Sequence, residues 1–229
     1  MGRILRGVRG DHGAKCGKDF WFMIERAMTV TYEVENGLYI NMTNRCSNAC
    51  TFCIRNNGNG AYGSDSLWLE REPTASEVLA SVFGRDLTKY KEIVFCGYGE
   101  PTYRLDDART IALKIKEKYP DIRIRMNTNG QSDLIHGRKT ASLFEGAFDS
   151  VGISLNTPSA SEYVKLCQPI FGEKAFDCLL NFAKELKAYV PEVLLSVVRQ
   201  TLTDEELLAC ERIAEDAGVR LKIREYIAD

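Results

Sequence analysis

The sequence predicts an α/β protein, a parallel sheet curled into an open, partial (βα)6 barrel with an N-terminal β-hairpin arm. Three observations predict it. Short β-rich apolar runs alternate with runs of helical period from residue 92 onward, capping signals open most of the helical runs, and an Asn-Gly pair divides two β-rich segments near the start. Alternating strands and helices imply parallel pairing with right-handed crossovers. Six units are fewer than the eight that close a barrel.

Met28 opens the regular part. Residues 29–34 and 38–43, around Glu35-Asn36-Gly37, read as a hairpin with a type I′ turn. A Gly/Asn-rich stretch follows over residues 56–63. Thr74-Ala-Ser-Glu77 is a capping box for a helix to about Phe83. Residues 92–96 form a strand and 97–101 a turn. A helix over 105–119 carries Leu105, Ala108, Ile111, Ala112 and Ile115 on one face and stops at Pro120. Strand 122–127 leads to a helix from Ser132 through about Glu145. Strand 148–155 precedes a short helix capped at Ser159 and a longer one over 173–189. Strand 192–199, a helix capped at Thr203 and ended by Gly218, and strand 219–226 complete the series.

Residues 1–27, rich in Gly and Arg, read as a flexible, dispensable extension, and 28–229 as one core domain. With 229 residues, 45% of them hydrophobic, the chain can bury a full core. A formal net charge of −2 argues against a general nucleic-acid surface. No apolar run approaches the roughly 20 residues that span a bilayer, so no membrane is expected and the cytoplasm is the simple location. Eight cysteines there stay reduced, as metal ligands or buried thiols.

Cys46, Cys50 and Cys53 form a C-x₃-C-x₂-C arrangement directly after the first barrel strand. A structural zinc would want four protein ligands, and neither histidine, His12 or His136, stands at a suitable spacing. Three plain buried thiols fit poorly beside Asn44, Arg45, Ser47, Asn48 and Thr51. A [4Fe–4S] cluster on three thiolates leaves one iron open for chemistry. The spacing favours the cluster and leaves zinc and plain thiols as alternatives.

With Phe52 just before Cys53, this triplet resembles the signature of the radical S-adenosylmethionine (SAM) superfamily. Gly97-Tyr98-Gly99-Glu100-Pro101 resembles that superfamily's Gly-Gly-Glu-Pro turn, with Tyr98 in place of the first of those glycines. Asn127-Thr128-Asn129-Gly130 and Ser154-Leu155-Asn156 stand at matching strand ends, and the resemblance runs over residues 29–227. Residues 38–46 and 53–56, with 95–102, are similar to the small radical SAM proteins associated with TatD-family hydrolases.

The resemblance implies a barrel of the radical SAM type and two cofactors, a [4Fe–4S] cluster and S-adenosyl-L-methionine. It implies Cys46, Cys50 and Cys53 as cluster ligands. It implies Phe52, Gly97, Tyr98, Gly99, Glu100, Asn127, Asn129, Ser154, Asn156 and Ser196 as the shell around S-adenosylmethionine. Gly99 would let backbone approach the cofactor's methionine end, while Glu100 would shape its loop. The reaction would be reductive cleavage to a 5′-deoxyadenosyl radical that abstracts hydrogen from an unknown substrate. Partners would include an electron donor such as flavodoxin or ferredoxin, and a TatD-family hydrolase. The alternative is a non-catalytic iron–sulfur or zinc protein acting with a hydrolase.

Strand alternation contributes independently. Arg123, Arg125 and Asn127 share one face of their strand, as do Gly152, Ser154 and Asn156, then Leu194, Ser196, Val198 and Gln200, then Lys222, Arg224 and Tyr226. Ordinary parallel sheets are apolar on both faces, so four mixed faces suggest a lumen holding something polar. Arg125 and Arg224 fit an anionic group on a substrate or cofactor; pairing with internal acids such as Glu225 is the competing explanation. Cys178 and Cys210 read as buried thiols, and Cys96 or Cys167 could face the cavity.

Overall fold

The structure is a computed structural model, and it describes residues 24–226. The hairpin comes first. β1 (Thr31–Val34) runs antiparallel to β2 (Gly37–Ile40), with Thr31 opposite Ile40 and Val34 opposite Gly37. That register makes Glu35 and Asn36 the turn, and of these Glu35 alone takes a positive φ, 52°. A type I′ turn needs positive φ at both central residues, so the expected turn on Asn36-Gly37 is not formed. Gly37 is drawn into the sheet instead, between Val34 and Glu92.

Five more strands follow: β3 (Glu92–Phe95), β4 (Arg123–Thr128), β5 (Ser150–Ser154), β6 (Glu192–Val198) and β7 (Arg220–Arg224). The sheet order is β1-β2-β3-β4-β5-β6-β7, and every pairing from β2 onward is parallel. These are the six units expected of the open barrel, since β2 and β7 are not paired with each other.

Six helices connect the strands: α1 (Ala75–Phe83), α2 (Leu105–Lys118), α3 (Ser132–His136), α4 (Ala160–Cys167), α5 (Lys174–Leu186) and α6 (Asp204–Ala217). The reciprocal capping boxes form at Thr74/Glu77 and Thr203/Glu206, and Gly218 ends α6 at φ 66°. α3 is shorter than expected. Gly137 turns left-handed (φ 64°) and Asp133 accepts from the Thr140 backbone at 2.9 Å, which folds the chain back before a 3₁₀ turn over Ala141–Phe144.

The helices cover the apolar strand faces. Ile93, Ile124, Met126, Val151, Ile153, Leu195 and Val197 are fully buried there. A run of rings, Phe95–Phe148–Phe144–Phe182, crosses this layer at centroid spacings of 5.4, 5.2 and 5.5 Å. Truncating any one of them would cost about 3–5 kcal/mol. The opposite face, lined by the mixed residues, is the lumen.

Positions 1–23 of the expected extension, with Cys16 and His12, lie outside the described residues. Residues 24–27 are tied to the body: Ala27 bridges Leu69, and the Glu25 backbone N–H donates to Asn59 at 3.1 Å. Among the described residues, no helix is long and apolar enough to cross a membrane.

Candidate active site

The loop that follows β2 carries Cys46, Cys50 and Cys53, all half-buried free thiols. It sits at the C-terminal end of the parallel strands, where barrel folds place their chemistry. The C-terminus of α4 holds it by backbone bonds: Thr51 N–H donates to Leu166 O at 3.0 Å, Ala49 N–H to Cys167 O at 3.0 Å, and Ile170 N–H to Ser47 O at 2.9 Å. Beneath it lies a buried polar layer. Asn48 Nδ2 donates to Tyr163 Oη at 3.0 Å, and Gln131 Nε2 donates to Asn48 Oδ1 at 2.7 Å and to the same hydroxyl at 3.1 Å. Asn48, Gln131 and Tyr163 were not read as site residues from the sequence; Gln131 directly after the Asn127–Gly130 run was the available signal.

Burial pushes the Cys46 thiol up to about 12 and raises Cys53 as well. Cys50 is raised first by a hydrogen bond with Cys167 and then by burial. Without metal these groups are thiols, so metal loading must release protons. Arg55, whose guanidinium donates to Asn48 O at 3.2 Å, opposes the rise at all three sulfurs. It is the local cation that suits a cluster bearing net negative charge with its thiolates. Cys167 is the cysteine that meets this loop, buried between Cys50 and Asn156 Nδ2, which lies 3.4 Å from its sulfur. Cys96 faces the lumen instead, beside Asn127 and Arg125. Cys210 is buried as expected, and Cys178 is only half-buried.

Among the described residues, no three His, Cys, Asp or Glu side chains converge on a point that one ion could occupy. Three free thiols on one loop are the donor chemistry that a three-ligand iron–sulfur cluster would use.

The turn after β3 explains itself by packing. A Cβ on Gly99 would lie 2.2 Å from Thr43 O and 2.7 Å from Arg45 O, and one on Gly97 would lie 2.2 Å from Asn41 Oδ1. The close approach that Gly99 permits here is to the cysteine loop, which Glu100 N–H also meets at Arg45 O (2.7 Å). Glu100 is buried, and burial pushes its carboxyl up. It accepts from Thr102 N–H (3.0 Å), Thr102 and Thr128 hydroxyls (2.7 Å each) and Asn129 N–H (2.7 Å). Its oxygens are spent on the protein, in keeping with a loop-shaping role. Tyr98 turns away from the turn into a small second core with Tyr32, Ala61 and Leu67, and its hydroxyl donates to Gly58 O (3.0 Å) and Gly60 O (2.7 Å). Phe52 packs against the edge of the main core.

Asn129 is buried, with Nδ2 donating to Ser47 Oγ at 2.8 Å. Asn127 accepts from Arg125 at 2.7 Å. Asn156 adopts a left-handed backbone (φ 62°), and its buried Oδ1 has no protein partner. Ser154 Oγ accepts from Arg224 at 3.3 Å, while Ser196 is buried and leans on Ile153 O at 3.4 Å. The unpartnered Asn156 oxygen at the strand ends is a place for an external donor. His136 meets Thr102 O at 2.8 Å, away from these groups.

The two candidate substrate arginines part company. Arg125 pairs with Glu92 at 2.7 and 3.1 Å, and donates to Asn127 and, at 3.3 Å, Tyr39. Arg125 thus has an internal partner, because the parallel register sets Glu92 diagonally opposite it. Glu225 does not take Arg224: it points to Gln200.

The profile of the Radical SAM superfamily matches residues 40–213. GTP 3′,8-cyclase of Corynebacterium glutamicum is 34% identical over 138 residues, 58% of this chain and 34% of that enzyme. The chain thus spans about a third of the length of the curated relatives it matches. In fold it is similar to Streptococcus suis SuiB bound to S-adenosylmethionine (TM-score 0.60, 16% identity, 82% of this chain and 38% of that one). It is also similar to methylornithine synthase (TM-score 0.55, 14% identity, 83% and 53%).

Proposed function

The chain belongs to the radical SAM superfamily, and from that premise we propose that it reductively cleaves S-adenosylmethionine and directs the resulting radical at a substrate in the barrel lumen. The observation that carries this reading is the position of Cys46, Cys50 and Cys53, one loop at the C-terminal mouth of a polar lumen. When bound, the [4Fe–4S] cluster supplies one electron and an open iron for the cofactor's amino and carboxylate groups. The protein binds, orients and shields. The α4 C-terminus fixes the cysteine loop, Gly99 and Glu100 lock the neighbouring turn onto it, and Asn156, with its spare oxygen, and Ser154 would help to hold the cofactor.

Tyr98 departs from the superfamily's glycine turn, a departure that would suit a non-catalytic accessory protein. Its side chain is occupied holding Gly58 and Gly60, which leaves the backbone of the turn to serve a cofactor. The cyclase relative acts, by its name, on GTP, and this supports a nucleotide-type molecule as the substrate class. A flavodoxin or ferredoxin as electron donor, a TatD-family hydrolase as partner, and a cytoplasmic location complete the reading; co-purification with the hydrolase tests the partnership.

The experiment is anaerobic reconstitution with iron and sulfide. The expected product is a brown protein with about four irons that cleaves S-adenosylmethionine under dithionite, an activity lost when any of Cys46, Cys50 or Cys53 becomes Ala. A colourless protein that retains zinc and takes up no iron would overturn the reading.

A further inference from the structure

The lumen is unevenly charged. Its strand faces carry Arg123, Arg125, Arg220, Lys222 and Arg224 against only Glu92 and Glu192. Glu192 serves Arg123 and Arg220, and Glu92 serves Arg125. No carboxylate among the described residues serves Arg224. Its one hydrogen bond goes to Ser154 Oγ at 3.3 Å, and its Nε is sealed from solvent with no partner. Its other polar neighbours, Cys96, Tyr62 and Tyr39, carry no carboxylate, and burial raises both Cys96 and Tyr39. Arg125 nearby adds like charge.

A guanidinium does not escape this by losing its proton. Arg224 is half-buried, with its Nε sealed, and its guanidinium has no counter-charge among the described residues, so it stands as an unpaired positive fork for an arriving anion. Arg224 stands at the C-terminal end of β7, the same end as the cysteine loop. The chain just beyond it touches the segment just after the cysteines, Tyr226 Oη lying 3.3 Å from Asn57 Oδ1. A guanidinium fork matches the two oxygens of a carboxylate or phosphoryl group.

We propose that Arg224 is the anion-binding residue of the lumen, and that the molecule attacked there carries a carboxylate or phosphoryl group. That the ligand is a substrate rests on the radical SAM reading; that an anion binds does not. Two probes, inorganic phosphate and acetate, are titrated against the reconstituted full-length protein with saturating S-adenosylmethionine, and again without it, following the melting temperature. The wild-type protein is expected to be stabilised by at least one of them, and the one that acts at lower concentration identifies the group. Arg224→Met should lose the anion-dependent rise in melting temperature, its anion affinity falling at least tenfold. Arg224→Lys should keep a weakened response. S-adenosylmethionine affinity, by equilibrium dialysis, should stay within about twofold in Arg224→Met.

An equal anion response in wild type and Arg224→Met overturns the proposal. A tenfold loss of S-adenosylmethionine affinity reassigns the guanidinium to the cofactor and overturns it too. If the reconstituted protein fails to cleave S-adenosylmethionine, the radical reading fails, while the titration without the cofactor still decides Arg224.

Discussion

Asn156 Nδ2 lies 3.4 Å from the sulfur of Cys167, and that sulfur in turn meets Cys50. Asn156 does this from a left-handed backbone, which Asn tolerates better than most residues. The amide directs its N–H at the Cys167 sulfur, and without metal Cys50 is the thiol held protonated, donating to Cys167. Once Cys50 ligates iron it has no proton of its own, so Cys167 becomes the donor. Hydrogen bonds to cluster sulfurs raise reduction potentials. Cys167→Ala should lower the cluster midpoint potential by about 20–60 mV, the equivalent of one hydrogen bond, with Cys167→Ser between. An EPR-monitored redox titration measures it; no shift would remove Cys167 from the cluster's surroundings.

Glu100→Gln should destabilise the protein by about 1–3 kcal/mol, because an amide NH₂ would face a hydroxyl or the Asn129 N–H where the carboxylate accepts. Chemical denaturation gives the value. S-adenosylmethionine affinity should fall with it, since the glycine turn loses its anchor.

Restoring the superfamily glycine at position 98 should be harmful here. Tyr98→Gly removes the ring that packs on Trp68 and both bonds to the 58–60 backbone. The expected loss is about 3–5 kcal/mol, with new proteolytic cleavage over residues 56–63. Tyr98→Phe, which loses the hydroxyl alone, should cost about 1 kcal/mol.

Glu192 sits below the usual carboxylate range, held there first by the Ser150 hydroxyl, despite partial burial, and then by Arg123 and Arg220. A lowered folded value means its stabilisation is present above the unfolded carboxylate range and is lost as pH falls through the folded one. Stability measured from pH 6 downward should therefore decline below about pH 4.5, and Glu192→Gln should flatten that decline. An unchanged acid slope would contradict the assignment.

Much of this was legible in the sequence because it depends on local signals. Capping boxes at Thr74 and Thr203, the C-terminal glycine at 218, and strand alternation over 123–127 and 151–155 each follow from a few neighbouring residues. The hairpin turn type and the length of α3 were not legible: β3, far along the chain, draws Gly37 into the sheet, and α3 is cut short where Gly137 turns left-handed and Thr140 returns to Asp133. The cysteine triplet was visible as a spacing. Its supports Cys167, Tyr163 and Gln131 come from loops and a helix far along the chain, and only packing brings them under it. Arg125 and Arg224 looked alike by position; Glu92 distinguishes them, and no periodicity could show which arginine it takes.

The strict sequence order of the sheet has a temporal side. Each strand pairs only with its predecessor and successor, so the barrel can assemble progressively as the chain leaves the ribosome. The cysteine loop emerges early, yet the backbone that grips it, Leu166 to Gln168, is made more than a hundred residues later. Until then the three thiols belong to a tethered but unfastened segment. Iron–sulfur delivery in the cell should accordingly succeed after α4 has docked, and nascent chains truncated before residue 160 should fail to retain a cluster.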